Sequence, residues 1–257
     1  MMDYKNKIIY QIWPRSFQDS NHDGIGDLKG ILRRLDHLQD LGVDLIWLSP
    51  VYCSPNTDYG YDISDYYNIH PDFGTMADFD ALLAECKKRG MGIVMDLVAN
   101  HTSDQHPWFQ ACLNDPNSPY RDCYYFRESI DDKEPNNWIS MFGGSAWTKD
   151  PLKPRSWYLT TFTPHREEIA NVMRFWLDKG VSGFRMDVIN TIAKQPGLPS
   201  WHPEKKGYQF AKEFMINLPQ SHAYIQELIG KLADDYDFIT IGEGMMADND
   251  ACALYAG

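Results

Sequence analysis

The chain has 257 residues, of which 43% are hydrophobic and 14% aromatic. This is enough apolar material for a large core and is not typical of a disordered protein. Its 24 Lys and Arg against 36 Asp and Glu give a formal charge of −12. That balance, with no basic run, disfavours nucleic acid as the main partner and fits a neutral ligand better.

The first residues and the cysteines bear on the compartment. Residues 1–12 lack a basic segment followed by a long apolar stretch, and no later apolar run reaches the length of a membrane span. The five cysteines form no Cys-x-x-Cys pair, which disfavours a disulfide framework or a zinc site. The sequence therefore predicts a cytoplasmic protein without a membrane partner, and it leaves the oligomeric state open.

Strand and helix patterns alternate over the first hundred residues. Short apolar, β-prone runs predict three strands, at residues 8–13, 44–48 and 92–98. Leucines and isoleucines at helical spacing predict one helix over residues 28–41, which ends at Gly42. A second amphipathic helix is predicted around residues 79–86, ending near Gly90.

The alternation lapses between residues 101 and about 166, a stretch rich in polar and aromatic side chains. This is too long for an ordinary connection, so it predicts a small inserted domain or a long functional loop. The alternation then resumes, with predicted elements at residues 167–179 (helix), 183–188 (strand), 207–234 (helical segments) and 238–242 (strand). This order predicts parallel strands joined by right-handed crossovers.

Two α/β architectures share this pattern, an open doubly wound sheet and an eight-stranded barrel. Acidic and histidine residues cluster where predicted strands end, at residues 96–101, at Arg185 with Asp187, and at Glu243. Because the chemistry of a barrel lies at the carboxyl ends of its strands, this placement favours the barrel.

The two carboxylates are placed to differ in charge. Arg185 and Asp187 lie two apart on a predicted strand, so the guanidinium would lower the pKa of Asp187, as suits a nucleophile. Alone, such a pair is typical of a surface ion pair. Glu243 follows an uncharged run, where partial desolvation would favour its protonated form. One charged and one protonated carboxyl group are what glycoside hydrolysis requires.

Residues 96–101, 183–188 and 241–243 resemble, in order and spacing, the first three conserved regions of glycoside hydrolase family 13, the α-amylase superfamily. Further segments resemble its oligo-1,6-glucosidase group: residues 10–17, 54–56, 60–63 and 175–180. The resemblance implies a (β/α)8 TIM barrel with a small domain B inserted after the third strand. The expected division is residues 1–100 for strands 1–3, 101–166 for domain B, and 167–257 for strands 4–5.

The resemblance also implies the catalytic roles. Asp187 would attack the anomeric carbon, while Glu243 would protonate the departing oxygen and then activate water. In such a retaining enzyme the two carboxyl groups lie about 5 Å apart.

Substrate contacts follow from the same motifs. Asp62 and His101 would hold hydroxyl groups of the non-reducing glucose, Arg185 would support the nucleophile, and Tyr61 would stack on the sugar. Val188 resembles the members that act on α-1,6 bonds. The expected partner is therefore a small oligosaccharide, cleaved at terminal α-1,6 linkages.

A polar loop early in the chain alternates oxygen-bearing side chains around a glycine turn: Asp19, Asn21, Asp23 and Asp27. Such an arrangement suits a hard cation and resembles the first half of an EF-hand, although Gly30 stands where the usual glutamate would be. The family resemblance implies a structural Ca²⁺ here, with the Ile25 carbonyl as a further ligand. No organic cofactor is expected.

The chain departs from the family pattern in two places. It stops at Gly257, after about the fifth strand of an expected eight, and it is shorter around residues 163–165 than the family's domain B. Trehalose-6-phosphate hydrolase, dextran glucosidase and transglucosylase activities remain alternatives on the same scaffold. A non-catalytic sugar-binding fragment is a further alternative, disfavoured because Asp187 and Glu243 are both present.

Overall fold

A computed structural model describes residues 5–129, 131–141, 143–162 and 166–256. Within these ranges the strands are β1 (Ile9–Ile12), β2 (Leu45–Leu48), β3 (Tyr52–Cys53), β4 (Asp65–Ile69), β5 (Gly92–Val98), β6 (Tyr124–Glu128), β7 (Trp147–Lys149), β8 (Ser156–Phe162), β9 (Gly183–Asp187) and β10 (Ile239–Gly242). The α-helices are α1 (Pro14–Phe17), α2 (Leu28–Arg33), α3 (Leu35–Asp40), α4 (Met76–Lys88), α5 (Pro107–Asn114), α6 (Arg166–Lys179), α7 (Pro219–Gly230) and α8 (Asn249–Ala256). Four short 3-10 turns complete the described elements: Pro71–Phe73, Arg121–Cys123, Ile189–Thr191 and Lys212–Phe214. The expected shortening around residues 163–165 lies outside the described residues.

The first of two compact units extends to Val98 and also includes Glu168–Asp187 and Ile229–Ile241. It carries a five-stranded sheet in the order β1-β2-β5-β9-β10. The first four strands pair in parallel, which confirms the prediction from the strand–helix alternation. A Cβ atom at Gly183 would lie 2.0 Å from the Ile239 carbonyl oxygen, so a glycine is required where β9 and β10 approach.

Aromatic packing holds α6 onto this unit. Trp176 of α6 is fully buried, and its Nε1 donates a hydrogen bond to the Tyr66 carbonyl oxygen at 2.9 Å. Its ring lies 5.1 Å from Phe79 on α4 and 5.5 Å from Tyr52. α4 itself begins at a capping box formed by Thr75 and its third helical residue. Both helices were predicted, and these contacts explain their apolar spacing.

The predicted helix over residues 28–41 is wrong in one respect, because the structure breaks it into α2 and α3. Arg34 stands at the break with φ −107° and ψ 5°, outside helical geometry, and its amide reaches back to Ile31 and Leu32. Its side chain donates to Gln18 Oε1 at 2.8 Å. The apolar spacing continues across the break since the buried faces of both helices remain in register, and this is why the sequence pattern did not reveal it.

The second unit comprises Ala99–Glu167, Val188–Leu228 and Gly242–Gly257. Its antiparallel sheet has the order β6-β8-β7. Beside it lies an apolar cluster built around Trp138, Trp147 and Leu159 and joined by Leu198 and Ala211. The region in which the alternation lapsed is therefore folded. Of the predicted helical segments between residues 207 and 234, the structure has the turn Lys212–Phe214 and α7.

No helix in the described part of the chain is both long enough and apolar enough to cross a membrane.

Candidate active site

Asp187 ends β9 with its carboxylate beside the guanidinium of Arg185. Arg185 Nη1 donates to Asp187 Oδ1 at 2.8 Å and to Asp96 Oδ1 at 2.8 Å. Asp187 and Arg185 are each 7% exposed, and Asp96 is fully buried. Alternation along β9 puts residues 185 and 187 on one face, as predicted. The register of β5 with β9 sets Asp96 opposite Arg185 and adds the second carboxylate.

Asp96 is the member of this group that sequence reasoning did not single out. Burial raises the pKa of Asp96 to about 6, although Arg185 acts in the opposite direction. Its Oδ2 accepts hydrogen bonds from Trp47 Nε1 at 3.2 Å and from the Tyr61 hydroxyl at 3.3 Å. The available signal was its place at the start of the motif over residues 96–101. Its partnership with Arg185, however, depends on strand pairing.

The positive charge of the Arg185 guanidinium partly balances the negative charges of Asp96 and Asp187. Burial alone would lower the pKa of Arg185, but Asp96 and then Asp187 outweigh burial and raise it above its ordinary value. The guanidinium carbon also lies 5.1 Å from the centre of the Trp47 ring and 5.9 Å from that of Tyr61. A permanent cation in this position favours the ionised form of Asp187.

Tyr61 lies between this group and an open cavity. The cavity has a volume of about 360 Å³ and is lined by Gln11, Trp13, Ser49, Tyr59 and Tyr61. Trp13 and Tyr59 are exposed and meet edge to face, with ring centres 6.0 Å apart. Burial raises the pKa of Tyr61, and the nearby Asp96 adds to this, so its hydroxyl stays protonated. The cavity therefore offers aromatic surface with few polar groups.

Asp62 belongs to the same unit but is held separately. Its Oδ1 accepts from the Ser54 hydroxyl at 2.6 Å and its Oδ2 from the Thr57 amide at 2.8 Å. The loop between them includes Asn56 and Tyr59 with positive φ angles of 58° and 50°. Asp62 is thus fixed by its own loop and not by the Asp96–Arg185–Asp187 group.

Glu243 follows β10 and belongs to the second unit. It is exposed, and its Oε2 accepts a hydrogen bond from the Val188 amide at 3.1 Å. The expectation that this carboxyl group is partly desolvated is wrong for the described residues. Among the described residues, β10 is the last strand at its edge of the five-stranded sheet.

The backbone around Glu243 is fixed by a residue that the sequence analysis missed. Asn190 is fully buried, its Nδ2 donates to the Met245 carbonyl oxygen at 2.7 Å, and its Oδ1 accepts from the Met245 amide at 3.0 Å. Val188, two residues earlier, has φ 36° and ψ 42°. This left-handed conformation is unusual for a β-branched residue and is stable only when its surroundings enforce it.

His101 is half-buried in the second unit, and its Nδ1 lies 3.4 Å from Nδ2 of Asn100. In the first unit, Asp96 bonds both Tyr61 and Arg185, and Arg185 in turn bonds Asp187. The second unit brings Glu243 to the Val188 amide.

The polar loop near the N-terminus is organised by its own backbone. Asp19 Oδ2 accepts from the Gly24 amide at 2.8 Å, and Asp23 Oδ1 accepts from the Ile25 amide at 2.8 Å. The Gly24 amide is the main cause of the lowered pKa of Asp19. Asp27 caps α2. Among the described residues, no group of three or more His, Cys, Asp or Glu side chains is arranged to hold a metal. The mixture of carboxylate, amide and carbonyl oxygens is nevertheless of the type that Ca²⁺ prefers.

A parallel sheet with charged groups at the carboxyl ends of its strands is typical of the active sites of α/β enzymes. The family described as "Alpha amylase, catalytic domain" matches residues 11–257. The chain therefore belongs to the α-amylase family.

Individual relatives are similar over nearly the whole chain. The oligo-1,6-glucosidase of Parageobacillus thermoglucosidasius is 50% identical over an alignment 252 residues long, and the match covers 93% of this chain and 45% of that protein. The trehalose-6-phosphate hydrolase of Bacillus subtilis is 41% identical over 98% of this chain and 46% of its own length. The solved trehalose-6-phosphate hydrolase of Bacillus licheniformis is 38% identical, with a TM-score of 0.92 over 98% of this chain and 47% of that chain.

The chain spans about half the length of the curated relatives it matches. The match confirms the fold class predicted from sequence, the N-terminal portion of a (β/α)8 barrel, and rules out the open doubly wound sheet.

Proposed function

We propose that the protein hydrolyses terminal α-glucosidic bonds with retention of configuration, and that its substrates are short oligosaccharides with α-1,6 linkages. The observation that carries this proposal is the buried group at the end of β9, in which Arg185 bonds both Asp96 and Asp187. Such a group keeps one carboxylate ionised and fixed in direction, as a nucleophile requires. The similarity to an oligo-1,6-glucosidase at 50% identity supports the substrate class.

In the first step a carboxylate oxygen of Asp187 attacks the anomeric carbon, and the bond from that carbon to the glycosidic oxygen breaks. Glu243 gives its proton to the departing oxygen. In the second step Glu243 takes a proton from water, whose oxygen displaces Asp187 from the anomeric carbon. Two inversions leave glucose with its original α configuration. Arg185 does not react, since its role is to orient and charge-stabilise Asp187.

Sugar binding is assigned to four side chains. Tyr61 presents its ring to the sugar, and its hydroxyl bond to Asp96 Oδ2 supports this orientation. Asp62 and His101 hold sugar hydroxyl groups. Arg185 bonds Asp187 and so supports the carboxylate that attacks the anomeric carbon. The two bonds that fix the Asp62 carboxylate support its role, because a preorganised acceptor loses little entropy on binding.

Trehalose-6-phosphate hydrolysis is the second candidate, because relatives with that name are about 40% identical. Val188 favours hydrolysis of α-1,6 bonds over trehalose-6-phosphate hydrolysis, because a valine at this position resembles the pattern of the family members that act on α-1,6 bonds.

We also propose a structural Ca²⁺ bound by the loop that contains Asp19, Asn21, Asp23, the Ile25 carbonyl and Asp27. Its effect would be to hold the loop before α2, away from the chemistry. A cytoplasmic location and the domain boundaries at residues 100 and 166 also remain proposals.

The test uses the full natural protein and follows glucose release from isomaltose, maltose and trehalose-6-phosphate by proton NMR. We expect isomaltose to be cleaved fastest and its non-reducing glucose to be released as the α anomer. Asp187→Asn should abolish release, whereas Asp80→Asn, which alters a half-exposed aspartate of the same unit, should not. Release of the non-reducing glucose as the β anomer, seen as initial β-glucose in excess of the share already present in the mutarotated reducing-end unit, would overturn the mechanism, and so would an active Asp187→Asn protein. Faster cleavage of trehalose-6-phosphate would favour the second candidate.

A further inference from the structure

In the described part of the second unit, a lysine is buried without a carboxylate partner. Lys194 is 7% exposed, and its Nζ donates to the carbonyl oxygen of Thr191 and, at 3.1 Å, to Oδ1 of Asn100. Lysine is almost never buried unless it is paired with a charge. Burial lowers the pKa of Lys194 to about 7, a sign of how unfavourable this environment is for the ammonium ion. A sequence that keeps an amine here is therefore expected to use it.

Asn100 transmits the effect of this amine. It is 6% exposed, and its two side-chain atoms face different partners: Oδ1 accepts from Lys194, while Nδ2 lies 3.4 Å from Nδ1 of His101. An amide side chain has one accepting end and one donating end. In the structure Lys194 Nζ donates to Oδ1, so the accepting end of Asn100 is directed to Lys194. The donating end must then face His101.

This polarity determines where the imidazole carries its proton. An amide N–H can bond Nδ1 of His101 only if that nitrogen is unprotonated. In the neutral ring the proton is therefore on Nε2. An Nε2–H group is a donor, and it suits an imidazole that bonds an oxygen such as a sugar hydroxyl.

We propose that Lys194 is a positioning residue, which sets the ring orientation and the tautomer of His101 through Asn100. Its importance for the reaction rests on the proposed function, in which His101 holds a hydroxyl group of the substrate. The effect on the tautomer is a property of the protein alone and does not require turnover.

The experiment measures the tautomer directly, by long-range proton–nitrogen NMR on the chain labelled with ¹⁵N-histidine. The His101 signals are identified by their loss in His101→Gln. We expect wild-type His101 to be in the Nε2–H form. In Lys194→Met, which keeps the length of the side chain but removes the donor, the two ring nitrogens should shift towards a mixture of tautomers.

Lys212→Met is the matched control, because Lys212 belongs to the same unit and its side chain is 58% exposed. It should leave the His101 signals unchanged. Wild-type His101 protonated on Nδ1, or unchanged signals in a folded Lys194→Met protein, would overturn the proposal.

Asn100→Asp provides a second variant that keeps a partner for Lys194. Its carboxylate has no donating end, so the oxygen facing His101 should draw the ring proton to Nδ1 and reverse the wild-type tautomer. Retention of the Nε2–H form in this variant would also contradict the proposal.

Kinetics separate this inference from the proposed function. If the function stands, Lys194→Met should lower kcat/KM on isomaltose by about tenfold, the loss expected for one hydrogen bond, whereas Lys212→Met should not. If the protein cleaves no glucoside, the NMR result still decides whether Lys194 controls His101.

Discussion

Asp187 and Glu243 come at the ends of neighbouring strands and yet are held in different ways. Asp187 is 7% exposed and bonded to Arg185, which is in turn bonded to Asp96. Glu243 is exposed and accepts from the backbone amide of Val188. β9 lies inside the sheet and receives side chains from β5, whereas β10 lies at its edge.

The difference follows from what each proposed role needs. A nucleophile must remain charged. Arg185, on the same strand as Asp187, supplies the guanidinium that keeps it so, and Asp96 on the neighbouring β5 fixes the direction of that guanidinium. A group that donates and recovers a proton needs partial cover from water, so that both of its protonation states are accessible. Cover of that kind comes from elements packed against the edge of the sheet.

The largest effect is expected for Asp187→Asn in the full natural protein. An amide cannot form the covalent intermediate, so kcat should fall by about 10⁴-fold or more on every substrate. Rates on isomaltose and on a nitrophenyl α-glucoside check this, and both should fall together. A loss confined to isomaltose would show that Asp187 is not the attacking group.

Glu243→Gln should have a smaller effect that depends on the substrate. Cleavage of isomaltose should fall by about 10²- to 10⁴-fold, because the departing sugar oxygen needs a proton. Nitrophenolate leaves without one, so the nitrophenyl α-glucoside should give a burst of product before the second step slows. Equal losses on both substrates, with no burst, would remove the contrast between the two carboxylates.

Asp96→Asn tests how the buried group contributes to pH-dependent stability. The folded-state pKa of Asp96 is about 6, above the ordinary aspartate value of 3.8. Between these pH values the folded protein binds more protons than the unfolded chain. This contribution to the free energy of unfolding is therefore fully present below about pH 4 and is lost as pH rises through 6.

Urea unfolding between pH 4 and pH 6.5 checks this prediction. The wild-type slope attributable to one such group is at most about 1.4 kcal/mol per pH unit, and Asp96→Asn should remove it. Asp80→Asn alters a half-exposed carboxylate and serves as the control. An unchanged slope in Asp96→Asn would mean that Asp96 is charged throughout this range.

The smallest effect is expected at the proposed calcium loop, which lies before α2 and includes neither Asp187 nor Glu243. Removal of bound Ca²⁺ by a chelator should lower the Tm by about 2–4 °C, corresponding to about 1 kcal/mol. The Asp23→Ala protein should melt lower and no longer respond to chelator. A wild-type Tm that is insensitive to chelator would argue against the site.

The sequence predicted best what depends on one strand and its periodicity. The bounds of β5 were predicted as observed, and the common face of Arg185 and Asp187 follows from alternation alone. The break at Arg34 was missed, because apolar spacing continues across it. The role of Asp96 was missed because it depends on the register between β5 and β9.

Contacts between residues far apart in the sequence could not be predicted from hydrophobic periodicity or motifs. Asn190 bonds the backbone of Met245, 55 residues away, and an asparagine in a loop gives no sign of such a partner. The exposure of Glu243 was mispredicted for a related reason. An uncharged strand predicts burial only when another element covers its end.

The left-handed turn at Val188 has a consequence for attempts to redesign the proposed bond preference. The residue proposed to influence bond preference is also the one whose amide bonds Glu243, and its φ of 36° disfavours most side chains. Laboratory evolution towards a new linkage would therefore alter two properties whenever it altered this position. We expect neutral routes to run through glycine or asparagine at position 188, which tolerate this backbone, before bulkier replacements become accessible.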